Sequence, residues 1–214
     1  MKHVCYIIGA WHGEQARIAP AADDFVIAAD GGYAALTALG VTPNLVVGDF
    51  DSLGYVPQAE EVIQHPVMKD DTDMMLAVKL GLQRGYRNFV MLGSVGGRLD
   101  HTLANLQTLL YLAEHDARGV LYGENTVITA VRNDTLTVSG TGTISVFCLS
   151  GEAKGVTEEG LLYSLSDATM VSGYPIGVSN EFLDGPGKIS VRDGSLIVLW
   201  SAEKDALPDL IAAL

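Results

Sequence analysis

A chain of 214 residues with a formal net charge of −13 and 48% hydrophobic residues can bury the core of one large domain or two small ones. Its acidity argues against a non-specific nucleic-acid binder, which needs a basic surface, and suits divalent cations or simple solubility. The apolar residues come in short runs, none near the ~20 that span a bilayer, so no membrane partner is expected.

Met1 to Cys5 leads straight into a strand-like run, with no signal-peptide core or cleavage site, so a cytoplasmic protein is expected. Cys5 and Cys148 each sit in an apolar, β-like run and read as buried free thiols. Neither belongs to a Cys-x-x-Cys pair, which argues against zinc.

His3 to Gly9 predicts the first strand, and Asp24 to Ala29 a second that ends at Asp30-Gly31-Gly32. Tyr33 to Leu39 predicts a short helix stopped by Gly40, and Leu45 to Val47 a third strand ended by Gly48-Asp49. Glu61 to Met68 is a further strand candidate, weakened by Pro66. Thr72 reads as the N-cap of a helix that runs to about Arg84. Asn88 to Leu92 predicts a strand. Asp100 opens an amphipathic helix with Leu103, Leu106 and Leu110 on one face. Gly119 to Tyr122 and Thr126 to Val131 complete the alternation, which predicts a parallel sheet with helices on both faces over residues 1–132.

Beyond Arg132 the pattern changes to short β runs: Thr135 to Val138, Thr143 to Leu149, Ala168 to Val171, Lys188 to Arg192 and Leu196 to Trp200. Asp193-Gly194 between the last two reads as a hairpin turn. Residues 133–214 are expected to form an antiparallel β sandwich or barrel, with a terminal helix possible over Asp205 to Leu214.

Four acidic turns carry the chemistry: Asp30-Gly31-Gly32, Gly48-Asp49-Phe50-Asp51-Ser52, Lys69-Asp70-Asp71-Thr72-Asp73 and Gly96-Gly97-Arg98-Leu99-Asp100-His101. Each follows a predicted strand or precedes a helix, and ligands of open α/β sheets bind outside the carboxyl ends of the strands. Asp49 and Asp51 are two apart, so on extended backbone they face the same way and can share a hard cation. Asp30 and Asp73 can complete or flank that site. Glycines let a phosphate approach the backbone, and Lys69 and Arg98 add positive charge. Carboxylate, base and glycine together suit Mg²⁺-assisted phosphoryl transfer on a nucleotide polyphosphate. Taken singly, each motif is also an ordinary turn or helix start. The G-x-x-x-x-G-K-[ST] and G-x-G-x-x-G loops are absent, and Ser52 lacks the G-x-S-x-G frame of a hydrolase nucleophile. His101 is open to a ligand contact or to a capping or surface role.

In order and spacing these four turns resemble the signatures of the thiamine pyrophosphokinase family. Gly160-Leu161-Leu162-Tyr163-Ser164-Leu165 and Gly177-Val178-Ser179-Asn180-Glu181 look like its β-domain motifs. The resemblance implies an α/β domain followed by a β sandwich, jelly-roll-like in outline. It implies transfer of a pyrophosphoryl group from ATP to thiamine, giving thiamine diphosphate and AMP, in a homodimer with sites at the subunit interface. By matching motif, Asp30, Asp49, Asp51 and Asp73 would bind Mg²⁺. Lys69, Thr72 and Arg98 would lie near the ATP phosphates, with Gly31, Gly32 and Ser52 completing the ATP set. Asp100 would contact thiamine from one chain, and Ser179 and Asn180 from the other. Asp71, Asp73 and Asp100 form the catalytic set, in which Asp71 and Asp100 are alternatives for taking the hydroxyl proton. Ser164 stands where the family often has proline. Trp200 is open to two readings, stacking on thiamine or packing in the core, because a one-residue shift in a strand reverses its face. Two other functions stay open: a related diphosphotransferase or nucleotide hydrolase, and a non-catalytic thiamine or nucleotide sensor.

Overall fold

The computed structural model describes residues 3–10, 18–50, 54–55, 57, 59–66 and 70–202. Its centre is a parallel sheet of β1 (Val4–Ile8), β2 (Phe25–Ala29), β3 (Leu45–Gly48), β4 (Glu61–Gln64), β5 (Asn88–Leu92) and β6 (Arg118–Gly123), in the order β6-β5-β1-β2-β3-β4. Every residue of β1 and β3 is buried. Such strands need continuous apolar runs because both faces are covered. β4 lies at the edge, and Pro66 falls beyond its last residue, where no ladder donor is lost.

Among the described residues three helices cover the sheet: α1 (Gly32–Ala38), α2 (Asp73–Gln83) and α3 (Leu99–Glu114). Leu36 of α1 joins Tyr6, Ile8, Ala28 and Val46 on one face. α2 and α3 cover the other, with Ala77, Val78, Leu109 and Leu112 against Cys5, Ile7, Ile27 and Met91. Gly32 is required here: a Cβ would stand 1.8 Å from the Ile8 carbonyl oxygen, so only glycine lets α1 begin on the end of β1.

The buried side of α3 differs from the expected leucine stripe. Asn105, Thr108, Leu109 and Leu112 are buried, Leu106 and Leu110 are partly buried, and Leu103 is 55% exposed. Hydrogen bonds to backbone carbonyls let the polar pair sit inside. Asn105 Nδ2 donates to the Ser94 carbonyl at 2.6 Å, and Thr108 Oγ1 donates to the Ala104 carbonyl at 3.0 Å.

The alternation ends at β6, one strand earlier than expected. β7 (Thr126–Arg132) returns antiparallel to it through Glu124-Asn125, both with positive φ (52° and 58°). That is the backbone of a two-residue hairpin, here built without glycine. The same sheet then continues through β14 (Ser195–Ser201), β9 (Thr143–Phe147) and β12 (Gly177–Glu181), all antiparallel, to ten strands among the described residues. Hydrogen bonding therefore runs unbroken across residue 132.

A second sheet has the order β11 (Leu165–Val171), β10 (Glu152–Glu159), β13 (Gly187–Ser190), β8 (Thr135–Val138) and is antiparallel throughout. It packs on the α1 side of the large sheet. Ala153, Val156 and Ile189 meet Val146, Val198 and Trp200 there, while Ile197 and Leu199 of β14 face α3. This is a sandwich with alternating strands. The hairpin expected at Asp193-Gly194 is not one. β13 and β14 belong to different sheets, and the turn carries the chain between them, with Gly194 N–H donating to Asn133 Oδ1 at 2.8 Å. Two strands that carry no clear alternation, β10 and β12, were not expected. Each contains a register shift that breaks the period of two.

Cys5 and Cys148 are buried free thiols. No helix among the described residues is long and apolar enough to cross a membrane. The terminal helix considered over Asp205 to Leu214 lies outside the described residues.

Candidate active site

Parallel strands put their carboxyl ends on one edge, and the described parts of the four acidic turns follow those ends or start the helices after them. Asp30 follows β2 with φ 46°. Its N–H donates to the Val47 carbonyl at 2.8 Å, which ties this turn to the end of β3. Gly48 is the reason they fit. A Cβ there would stand 3.0 Å from Asp30 Cα. Asp49 comes next, and Phe50 (φ 63°) turns inward, 3% exposed in the core, anchoring the loop that carries Asp49. Asp51, Ser52 and Lys69 lie outside the described residues.

Asp71, Thr72 and Asp73 stand at the start of α2. Thr72 Oγ1 accepts from Met75 N–H at 3.1 Å, the expected cap, and Asp73 occupies the first turn, where the helix dipole favours a carboxylate. Asp71 is engaged by Lys79, whose Nζ donates to both carboxylate oxygens at 2.8 and 2.6 Å. The ion pair raises the Lys79 pKa, chiefly through its hydrogen bond to Asp71.

Gly93 to Arg98 link β5 to α3. Gly96 and Gly97 are both left-handed, with φ 87° and 64°, and the Glu124 side chain fills the space beside Gly96. Arg98 occupies the N-cap position without capping and instead chelates Asp100. Nε donates to Oδ1 at 3.1 Å and an Nη to Oδ2 at 2.6 Å. That hydrogen bond, with help from the His101 N–H at 3.0 Å, holds the Asp100 carboxyl below its ordinary range. Both side chains are well exposed, so the pair is placed to open toward a phosphate or a cationic ligand. His101 is exposed in the first turn of α3.

Among the described residues no three His, Cys, Asp or Glu side chains gather closely enough to hold a metal ion alone. Asp30, Asp49 and Asp73 nevertheless supply the hard oxygen donors that Mg²⁺ prefers, and that ion usually takes only one or two carboxylates beside phosphate and water.

The β half places its motif residues at the far end of the large sheet. Ser179 is exposed with φ 59°, on the bulge of edge strand β12, and its N–H donates to Ser145 Oγ at 3.0 Å. Asn180 is 4% exposed and its amide is spent within the chain. Trp200 is 3% exposed between the two sheets, so the packing alternative holds and this side chain offers no stacking surface. Tyr163, Leu162, Tyr174 and Val178 are exposed on this half.

Known proteins match both halves. The family model of the thiamin pyrophosphokinase catalytic domain matches residues 19–121, and that of the thiamin pyrophosphokinase vitamin B1 binding domain matches 132–196. The chain belongs to the thiamine pyrophosphokinase family. A thiamine pyrophosphokinase of Bacillus subtilis strain 168 is 26% identical over 186 residues, covering 83% of this chain and 87% of that protein. A solved thiamin pyrophosphokinase family protein of Enterococcus faecalis is 27% identical, with a TM-score of 0.81, covering 94% of this chain and 100% of the other. The thiamin pyrophosphokinase of Geobacillus thermodenitrificans gives 25% and 0.77, covering 94% and 98%. The first family model spans all four acidic turns, and the second spans Ser179 and Asn180 but stops short of Trp200.

Sequence reasoning missed Glu124, Asn105 and Glu158. Glu124 sits in a turn without glycine, and Asn105 lies on a helix face that the leucines seemed to exclude. Glu158 lies on β10, where a register shift between Val156 and Glu158 interrupts the alternation.

Proposed function

We propose that the chain transfers the pyrophosphoryl group of ATP to the hydroxyethyl group of thiamine, giving thiamine diphosphate and AMP. The observation that carries this reading is the succession, in one chain, of the family's catalytic and vitamin B1 binding domains, with the acidic turns of the first converging on one sheet edge.

The thiamine hydroxyl attacks the β-phosphorus of ATP, the bond to the α-phosphate oxygen breaks, and AMP leaves with that oxygen. Asp30, Asp49 and Asp73, with Asp51, would hold Mg²⁺, which supplies charge neutralisation at the phosphate oxygens. Gly31, Gly32, Ser52, Lys69, Thr72 and Arg98 would receive ATP, with Arg98 staying paired to Asp100 beside it. Asp100, kept ionised by Arg98, favours the cationic thiazolium of thiamine over a proton. Asp71 is bound to Lys79 through both carboxylate oxygens. A loose transition state needs little proton removal, and positioning carries most of the rate.

The reading includes a homodimer. β12 lies five strand positions from β5 in the sheet order, roughly 24 Å at the usual strand spacing. A second copy would present its own Ser179 bulge to the exposed Asp100 of the first. The exposed Leu99 and Leu103 on α3, and Tyr163, Tyr174 and Ile176 on the β half, supply apolar surface for that contact. A cytoplasmic location is part of the reading, supported by the two free thiols.

Incubation of purified protein with ATP, Mg²⁺ and thiamine tests it. The expected products are AMP and thiamine diphosphate, and AMP formation depends on thiamine. Release of ADP with thiamine monophosphate overturns pyrophosphoryl transfer, and thiamine-independent turnover points to a nucleotide hydrolase.

A further inference from the structure

Glu158 is a buried acid that the acidic rim and the motifs leave unexplained. It lies on β10, opposite Ile189 of β13 and Leu165 of β11, and is 1% exposed. Its Oε2 accepts from Asn180 Nδ2 at 3.0 Å. Its Oε1 is buried with no hydrogen-bond partner among the described residues. A leucine in that position would pack between the sheets without the cost of desolvating a carboxyl group.

What Glu158 holds gives the acid a use. Asn180 Nδ2 also donates to the Tyr163 carbonyl at 2.7 Å, and Oδ1 accepts from Tyr163 N–H at 2.9 Å and Glu181 N–H at 3.0 Å. The amide thus pairs with both backbone groups of Tyr163, as a neighbouring strand would. Its hydrogen-bonding capacity is filled. Only one orientation of the amide serves. Reversed, it would point NH₂ at two N–H donors. An acceptor at Glu158 selects the working orientation, because the NH₂ group must face it. The rest of the segment is stitched to β12 and the residues after it by Leu162 N–H to the Glu181 carbonyl at 2.9 Å and Leu183 N–H to the Gly160 carbonyl at 3.2 Å.

We infer that Glu158 is a positioning residue for the thiamine side of the site. It fixes the Asn180 amide, and through it the Tyr163 backbone and the neighbouring Ser179 bulge. Asn180 then acts as a strut and not as a ligand contact. The inference rests on the thiamine reading of the β half.

The test compares Glu158→Leu with Glu158→Gln, which keeps an acceptor oxygen. Steady-state kinetics are paired with hydrogen exchange at the Tyr163 amide. Glu158→Leu is expected to raise the KM for thiamine about tenfold, leave the KM for ATP within twofold, and speed Tyr163 exchange at least tenfold. Glu158→Gln is expected to stay within twofold of wild type in all three. A folded Glu158→Leu protein with wild-type thiamine KM and Tyr163 exchange overturns the proposal. So does a Glu158→Gln protein as impaired as Glu158→Leu. Should Glu158→Leu not fold, Asn180→Asp with and without Glu158→Gln decides. The Gln NH₂ can donate to the new carboxylate, so the double variant is expected to recover part of the loss, and independent effects overturn the strut. Exchange at Tyr163 needs no turnover, so it separates failure of the strut from failure of the thiamine reading.

Discussion

Asp30, Asp49, Asp73 and Asp100 stand at least partly exposed where parallel strands end, whereas Glu158 is closed between two antiparallel sheets. The same chemical group serves two purposes. At the strand ends, loops and helix starts hold carboxylates that are at least partly exposed and can meet a cation. Between the sheets, burial pushes the Glu158 carboxyl up, only partly countered by its hydrogen bond from Asn180, and its use is to orient a neighbour. The rim is therefore expected to matter for turnover with little effect on stability, and Glu158 for the thiamine KM and the order of its neighbours.

The largest test of that division is Asp49→Asn. Turnover is expected to fall by 10² to 10³, about 3–4 kcal/mol in the barrier, with an unchanged melting temperature. A parallel loss of stability would break the comparison. Gly32→Ala is next. The new Cβ meets the Ile8 carbonyl oxygen, and chemical denaturation is expected to show a loss of about 3 kcal/mol. Thr72→Ala removes the acceptor of Met75 N–H and is expected to cost about 1 kcal/mol in the same measurement.

Glu158→Gln sharpens the comparison through pH. The folded-state pKa of Glu158 is raised above its ordinary value of 4.5. Its proton-linked stabilisation is therefore full below that value and is lost as pH rises through the folded pKa. Glutamine does not titrate. Melting temperatures of variant and wild type are expected to lie close at pH 4, with the variant gaining by a few degrees towards pH 8. A constant difference would show that the folded-state pKa of Glu158 is not raised. The smallest effect is expected for Leu103→Ser, within about 0.5 kcal/mol in stability because the side chain is 55% exposed. Sedimentation would show a larger monomer fraction if this face meets a second copy.

Most of the parallel sheet was legible. β1, β2, β3 and β5 fall within a residue or two of their apolar runs, and Thr72 caps α2 as its position suggests. Local signals suffice where a strand is buried on both faces or a helix start has a side-chain cap. Legibility failed where two distant segments decide a local outcome. Whether Asp193-Gly194 makes a hairpin depends on which sheets β13 and β14 join. Which side of α3 is buried depends on the Ser94 carbonyl that waits for Asn105. β10 and β12 were hidden by bulges that interrupt their alternation.

By itself the sequence determined the chemistry of the rim: which residues are acids, which are glycines, and that they recur after strands. Those properties follow from residue type and short-range pattern, and the order of the motifs carried the family. Only the tertiary structure decided their company. It joined Asp30 to the end of β3, paired Asp71 with Lys79 and Arg98 with Asp100, and buried Trp200. It also turned Asn180 inward onto Glu158. Each of these contacts joins separated side chains through packing or hydrogen bonds, and such geometry exists only once the sheets have closed.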